Sequence, residues 1–313
     1  MRIKLCGLIA CAAMLAAGIV SCQKQDDTQQ GVKYPILFGS SDTRAVADLD
    51  DLKDSGFKVY AYFQGTAEGT GSSTFEKTVT YYEDDNVWAY EGLEYWIPGV
   101  SYWFKAFYYP SEPSAGTLTV ANTDANQSFT ITGYDITMQE DIMVASAEAS
   151  VEAGKSAPTD GSVVYLNFQH LLANVTIKAL SELATSVKIE RIEFRNVTTK
   201  ADYRGAWNAE NYKSGNFGYD SDLTLNKATS DTDYTDIPNG GFLVIPEKIN
   251  GTQKLYVKTS FKEYEIAFPT TYPWNAGQKY TYTLTIKQES IEFNEPKVEI
   301  WDDENATGSV VIK

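Results

Sequence analysis

Short runs in which apolar and polar residues alternate recur along the chain, and turn residues separate them. Between residues 57 and 63 every second side chain is apolar, a period of two that is typical of a half-buried strand. Residues 102–109 are apolar at both alternating sets of positions, which predicts a central strand. Helical periodicity is scarce. The first half of the chain is therefore predicted to form strands at 34–38, 58–64, 74–82, 86–90, 102–109, 118–120, 127–131 and 142–145.

A segment poor in large apolar residues, 146–162, is rich in Ala, Gly, Ser and Pro and is the best candidate for a linker. Residues 202–236, rich in Tyr, Asp, Asn and Ser, are predicted to be a long decorated loop. Two sets of short strands flanking one linker predict an all-β protein with two tandem antiparallel β-sandwiches. The second set is predicted at 163–168, 173–180, 188–196, 241–245, 253–259, 262–269 and 279–287.

The N-terminus has the three parts of a secretory signal. Arg2 and Lys4 are positive, residues 5–20 are apolar, and small residues precede Cys22. The apolar run is shorter than the roughly 20 residues that a membrane-spanning helix needs. Its end, Ile19-Val20-Ser21-Cys22, resembles the lipobox of bacterial lipoproteins, although that pattern prefers Leu where Ile19 stands. We therefore predict a signal peptide over 1–21 and lipidation at Cys22; the alternative is ordinary signal-peptidase cleavage beside a chance cysteine.

Cysteine usage is consistent with a lipid anchor. The chain has three cysteines, and none follows Cys22. After processing, a disulfide framework and a cysteine metal site are both excluded. The polar residues 23–27 are predicted to be a tether. Lys24 followed by Asp26-Asp27 is similar to the surface-export signal of Bacteroidetes lipoproteins.

Charge and histidine content narrow the function classes. With 26 basic and 42 acidic residues, the net charge is −16, so the chain repels phosphate backbones and nucleic-acid binding is not expected. The one histidine, His170, lies among apolar and amide neighbours, which indicates a satisfied core position rather than a general base or metal ligand. Without a second histidine, familiar zinc sites and nucleophile–histidine pairs lack parts. We predict no enzyme activity, metal or cofactor.

Two other chemistries stay open at this point. Carboxylate pairs are numerous, so glycosidase chemistry is not excluded by counting, but no pair stands out. The sequence 302–305 offers oxygen ligands without the spacing and glycine of a calcium loop. One set of aromatic residues is predicted to pack in the core, with a sugar-stacking surface as the alternative: Trp88, Tyr90, Tyr95, Trp96, Tyr102 and Trp103.

Several short motifs follow one another in a distinctive order. They are Ile36-Leu37-Phe38 followed by Thr43-Arg44-Ala45, Trp88-Ala89-Tyr90, Tyr95-Trp96, the run 102–110, the run 141–145, Phe168-x-His170-Leu171-Leu172, the run 274–280, and Val298-Glu299-Ile300-Trp301. Each motif is weak alone. In this order they resemble the fimbrillin-like (Mfa-like) lipoproteins of Bacteroidetes, whose polymerising members form type V pili.

This resemblance implies two transthyretin-like β-sandwiches and assembly by donor-strand exchange. In the family, a protease cuts after an arginine beyond the first strand, the strand leaves, and a C-terminal extension of the next subunit replaces it. The implied division of the chain is signal peptide 1–21, lipidated propeptide with the first strand 22–44, N-terminal sandwich 45–155, C-terminal sandwich 156–296, and donor-strand extension 297–313.

The resemblance also assigns residues and partners. The cut is expected between Arg44 and Ala45, and the donated side chains are expected to be Val298, Ile300, Val310 and Ile312. The implied partners are other fimbrial subunits, the outer membrane through the lipid, and a host or bacterial surface ligand. The alternatives are a monomeric surface lipoprotein that binds glycan or host ligand, a pilus anchor that keeps its lipid, and, with least support, an envelope glycosidase.

Overall fold

The computed structural model describes residues 33–40, 49–65, 71–85, 87–109, 115–159 and 161–301. Strands dominate these residues, so the all-β fold class is confirmed. The described helices are α1 (Leu49–Ser55) and one 3-10 turn (Ile136–Met138). Neither has the length and apolar character that crossing a bilayer requires.

Most strands of the first half belong to one sheet. They are β1 (Leu37–Ser40), β2 (Phe57–Gly65), β3 (Ser72–Tyr82), β4 (Val87–Ala89), β5 (Val100–Tyr108), β6 (Thr117–Ala121), β7 (Ser128–Asp135) and β8 (Met143–Val151).

The strands of the second half form two five-stranded sheets by themselves and contribute to the other sheets. They are β9 (Val163–Leu166), β10 (Gln169–His170), β11 (Ala173–Ser181), β12 (Val187–Val197), β13 (Lys200–Tyr203), β14 (Trp207–Asn208), β15 (Gly215–Asp220), β16 (Thr224–Leu225), β17 (Thr235–Val244), β18 (Lys254–Thr259), β19 (Glu263–Ala267), β20 (Gln278–Ile286), β21 (Ile291–Phe293) and β22 (Lys297–Ile300).

A six-stranded antiparallel sheet, in the order β10-β8-β5-β2-β3-β4, combines five strands of the first half with β10 of the second. Strand β5 pairs with β2 on one side and β8 on the other, so the predicted central strand is confirmed. Alternate residues of β2, such as Val59 and Ala61, are buried. They join a smaller hydrophobic cluster that also takes in Phe38, Phe104 and Phe168.

The larger hydrophobic cluster is formed mainly by two five-stranded sheets and extends to residues of β7 and β13. Strand β11 is central in one of them, antiparallel to β17 and parallel to β20. Strand β12 is central in the other, between β15 and β18. Phe194 of β12 packs against Phe242 of β17 with ring centroids 4.4 Å apart. Inner faces that interlock in this way make a sandwich.

A four-stranded sheet, β14-β13-β7-β6, joins strands from both halves of the chain. Its β6–β7 hairpin lies over the outer face of the first sheet. Asn122 Nδ2 donates to the Ala61 carbonyl and Gln127 Nε2 to the Tyr60 carbonyl, each at 2.9 Å. The division of the chain between residues 155 and 156 stays a prediction.

Strand β8 runs to Val151, into the segment predicted as a linker. The prediction of a linker failed here because small residues are typical of linkers, whereas in β8 their small size is required for packing. Ala147 and Ala149 lie opposite Phe104 and Tyr102 in the register. Their small volume leaves room for those rings on the core face.

The predicted long loop 202–236 is also wrong as a description, because it contains β14, β15 and β16. Strand β15 pairs with β12 over most of its length. Phe217, buried in β15, packs against Phe194 with centroids 5.4 Å apart. These short strands were not predicted because the surrounding Asp, Asn and Ser residues are typical of loops.

Candidate functional site

The first strand, β1, and the residues just before it are bonded to two parts of the chain that are distant in sequence. On one side β1 pairs in parallel with β9, with Leu37 opposite Val163 and Ser40 opposite Leu166. On the other side lies an irregular segment, residues 90–96, which we call the clasp. At the start of β1, the Leu37 N–H donates to the Ser162 carbonyl at 3.2 Å.

The clasp forms main-chain hydrogen bonds with the residues just before β1. The Ile36 N–H donates to the Glu94 carbonyl at 2.8 Å, and the Trp96 N–H donates to the Tyr34 carbonyl at 3.0 Å. Pro35 forms an isolated antiparallel bridge with Tyr95. The segment 34–40 is therefore bonded to the clasp over residues 34–36 and to β9 over residues 37–40.

Two side chains of this segment are core residues. Ile36 and Phe38 are fully buried. The ring of Phe38 lies 5.5 Å from that of Tyr90 and 5.6 Å, edge-on, from that of Phe104. Burying a side chain of this size contributes about 1.5–3 kcal/mol. The segment thus fills a groove in the smaller cluster.

Tyr90 links the clasp to the main chain of the first strand. Its hydroxyl donates to the Ile36 carbonyl at 2.6 Å and accepts from the Glu94 N–H at 3.3 Å. Burial raises the pKa of Tyr90 to about 12, and the bond from Glu94 opposes that shift only in part. The hydroxyl is therefore neutral and able to donate at physiological pH.

Trp96 ties the clasp to the opposite wall of the groove. Its Nε1 donates to the Ser162 carbonyl at 3.2 Å, next to the start of β9. Its ring meets Tyr102 edge-on at 4.8 Å. If the first strand left, three main-chain groups would each lose a partner. The Glu94 carbonyl would lose the Ile36 N–H, the Ser162 carbonyl the Leu37 N–H, and the main-chain N–H of Trp96 the Tyr34 carbonyl. A groove with such an edge suits another extended segment with alternating apolar side chains.

The sequence model of one protein family, described as fimbrillin-like, matches residues 43–301. The chain belongs to the fimbrillin-like family. Membership implies assembly with other fimbrial subunits and a place in a fimbrium at the cell surface. None of the curated proteins matches this chain.

Solved structures similar to this fimbrillin-like protein share its fold at low sequence identity. A fimbrial protein from Bacteroides vulgatus has 17% identity and a TM-score of 0.61, covering 86% of this chain and 100% of its own. A candidate cell adhesion protein from Bacteroides uniformis has 18% identity and a TM-score of 0.53, covering 86% and 99%. One from Bacteroides ovatus has 13% identity and a TM-score of 0.54, covering 88% and 100%.

The C-terminal strand of this fimbrillin-like protein lies on its own sandwich. Strand β22 pairs with the start of β20, with Val298 opposite Tyr280 and Ile300 opposite Gln278. Val298 packs against the larger cluster. Ile300 is 66% exposed. Two of the four predicted donor residues thus lie in a strand that the chain pairs with itself.

Trp301 closes β22 by stacking on the one histidine. Its N–H donates to the Gly277 carbonyl at 2.9 Å. Its ring is parallel to that of His170, with centroids 3.6 Å apart. His170 is buried, and its Nδ1 lies 2.5 Å from Asp141 Oδ2. Within the described ranges, no group of three or more His, Cys, Asp or Glu residues could hold a metal ion.

Replacing Trp301 with alanine is expected to lower the free energy of unfolding by about 1–2 kcal/mol, since the stack and its burial are lost. Amide hydrogen exchange should accelerate more in β22 than in the core strand β12, whose exchange follows global unfolding. Trp301→Phe keeps a stacked ring and should retain most of the protection. Equal exchange in all three proteins would show that the stack does not hold β22.

The other predicted site residues lie outside the described residues: Cys22, Arg44, Ala45, Val310 and Ile312. Their roles remain proposals.

The aromatic set proposed as a sugar-stacking surface is mostly inside the smaller cluster. Trp96 and Tyr102 are buried, and Trp88 and Tyr90 pack against that cluster as partly buried residues. Tyr95, 40% exposed, is the most accessible of the set. The prediction that these rings pack in the core therefore agrees with the positions of four of the six, whereas Tyr95 and Trp103 belong to neither cluster.

Sequence reasoning missed two charged residues beside the groove, Lys77 and Glu94. Lys77 Nζ lies 2.8 Å from Glu94 Oε1. A signal was present in the alternation of β3, where Lys77 occupies the apolar phase between Phe75 and Val79. A lysine in that phase needs a buried partner, which the sequence alone does not identify.

Proposed function

We propose that this fimbrillin-like protein is a fimbrial subunit precursor that is exported as a lipoprotein on Cys22 and assembled by protease-triggered donor-strand exchange. The cut falls between Arg44 and Ala45. The first strand then leaves its groove, and a strand from the next subunit takes its place. Adhesion is the expected use of the resulting filament.

One observation supports the proposal: the first strand fills a groove formed by parts of the chain that are distant from it in sequence. Ile36 and Phe38 fill the groove, and the segment 34–40 is bonded to β9 and the clasp rather than to its neighbours in sequence. A cut at Arg44 would leave this segment attached by non-covalent contacts alone. A vacant groove has unpaired main-chain groups and apolar walls, which favours refilling by strand addition.

The donated strand is proposed to come from the C-terminal extension 297–313. Val298 and Ile300 could be donated only if β22 first left β20. Val310 and Ile312 follow Trp301, so their donation does not require β22 to leave β20. Twelve residues follow Trp301, and an extended chain of that length spans roughly 40 Å. We therefore favour Val310 and Ile312 as the groove-filling pair.

The position of Cys22 gives the cut a second consequence. Cleavage after Arg44 removes the lipid together with the first strand, so a processed subunit is released from the outer membrane. A subunit that keeps residues 22–44 would instead stay anchored and keep its own groove filled. Head-to-tail strand donation does not close on itself, so it extends into a filament.

The test is to treat the purified lipidated protein with an arginine-specific protease. The expected product begins at Ala45, has lost residues 22–44, and forms filaments visible by electron microscopy. Arg204 lies in an exposed turn, so the Arg204→Lys variant separates a cut there from the cut at Arg44. Arg44→Ala should remain lipidated and unassembled.

Cleaved protein that stays monomeric at high concentration would contradict the subunit role. Mass spectrometry of the N-terminus of protein taken from cell surfaces distinguishes an anchor from a polymerising subunit. An acylated Cys22 on intact chains within fimbriae would identify an anchor, and a free Ala45 would identify a polymerising subunit.

A further inference from the structure

Lys77 is a charged residue on the core-facing side of β3. It lies opposite Val59 in the register between β2 and β3, and Val59 is fully buried. The side chain of Lys77 is only 16% exposed. A lysine held this far from solvent requires partners for its ammonium group.

Among the residues that the structure describes, the partners of Lys77 belong to β3 or to the clasp. Its Nζ donates to the Gly92 carbonyl at 2.6 Å and lies 2.8 Å from Glu94 Oε1. It also lies 5.7 Å from the centre of the Tyr90 ring, within the range of a cation–π contact. Gly92 has a φ of +67°, which lets the clasp turn beneath the ammonium group.

Glu94 and Tyr90, the two clasp residues that form hydrogen bonds with Ile36, are thus also in contact with Lys77. Glu94 accepts from the Ile36 N–H through its carbonyl, and Tyr90 donates to the Ile36 carbonyl through its hydroxyl. The opposite side of the groove is a regular four-residue ladder with β9. The clasp has no such ladder, so its position depends more on side-chain contacts.

We propose that Lys77 is a positioning residue of the strand-exchange site: by fixing the clasp, it sets how readily the first strand leaves and how firmly an incoming strand is held. This inference rests on the proposed function for its biological meaning. The structural part of the inference is that Lys77 stabilises the segment 34–38 in its groove, and it can be tested on the uncleaved protein.

The first measurement is amide hydrogen exchange in the uncleaved protein. Lys77→Met keeps the aliphatic stem and removes the charge. It should accelerate exchange of residues 34–38 by about tenfold, the change that corresponds to about 1.4 kcal/mol. Exchange in β18 should not change. Lys77→Arg keeps a donor to Gly92 and Glu94 and should restore most of the protection.

A matched control comes from another ion pair. Lys254 Nζ lies 2.7 Å from Glu265 Oε1 between β18 and β19, so Lys254→Met removes a lysine–glutamate contact of similar length from a sheet that does not form the groove. It should leave exchange at 34–38 unchanged. Unchanged exchange in Lys77→Met, or an equal acceleration throughout the molecule, would overturn the role of Lys77.

A second measurement separates this inference from the proposed function. After cleavage at Arg44, release of the segment ending there is followed by mass spectrometry, and assembly by light scattering. Faster exchange and faster release in Lys77→Met without assembly in any variant would support the clasp and contradict the fimbrial mechanism. Assembly in all variants with unchanged exchange and release would support the mechanism and contradict the clasp.

Discussion

Replacing Phe38 with alanine is expected to lower the free energy of unfolding of the uncleaved protein by about 3–5 kcal/mol. The ring is fully buried and contacts those of Tyr90 and Phe104. Its removal leaves a cavity whose walls belong to the six-stranded sheet and the clasp. Urea unfolding with linear extrapolation gives the value.

Leu37→Ala is the matched control, because Leu37 is the neighbouring residue on the opposite face of the same strand and is only partly buried. Its expected cost is about 1–2 kcal/mol. The difference between the two variants measures how much the groove, rather than strand pairing, holds the segment. Equal losses would mean that the groove contributes little and that refilling it could not drive assembly.

The same substitution has a second expected effect, on processed protein. Phe38 lies before Arg44 and leaves with the segment 22–44, so filaments made from Phe38→Ala should melt at the same temperature as filaments made from the unaltered chain. Phe104→Ala removes a wall of the groove and should lower both the stability of the precursor and the melting temperature of the filament.

The local parts of this fold were predictable from the sequence, because a period of two is a property of consecutive residues. The alternation at 57–63 predicted β2, and apolar residues on both faces of 102–109 predicted a central strand, confirmed as β5. Composition failed where small residues have a packing role. The alanines of β8 suggested a linker, although they lie opposite Tyr102 and Phe104 in the sheet.

The candidate site was less predictable, because its parts meet across long sequence separations. The resemblance to the fimbrillin-like family pointed to the segment 34–38, but no local pattern shows that Ile36 bonds Glu94 or that β1 pairs in parallel with β9. The clasp has no strand periodicity, so sequence periodicity cannot detect it. Lys77 was visible as a polar residue in an apolar phase, without an indication of its partner.

Ending the chain at Trp301 is expected to abolish self-assembly without unfolding the protein. The truncation removes residues 302–313 and retains β22, whose pairing with β20 and Trp301–His170 stack remain available. Under the proposed function it removes Val310 and Ile312. Loss of two groove-filling side chains costs about 3–6 kcal/mol per contact between subunits, which corresponds to roughly 10²–10⁴-fold weaker association.

The informative control is Ile300→Asp in the full chain. Ile300 is 66% exposed and lies in a strand that pairs within its own molecule, so an aspartate there should leave filament formation nearly unchanged. The truncated chain, once cleaved, still has an open groove and no strand to donate. Mixed with the unaltered protein, it should cap growing ends and shorten filaments in proportion to its fraction, as measured by electron microscopy. The opposite pattern, assembly by the truncated chain and none by Ile300→Asp, would identify β22 as the donated strand and would require it to leave β20 before each subunit is added.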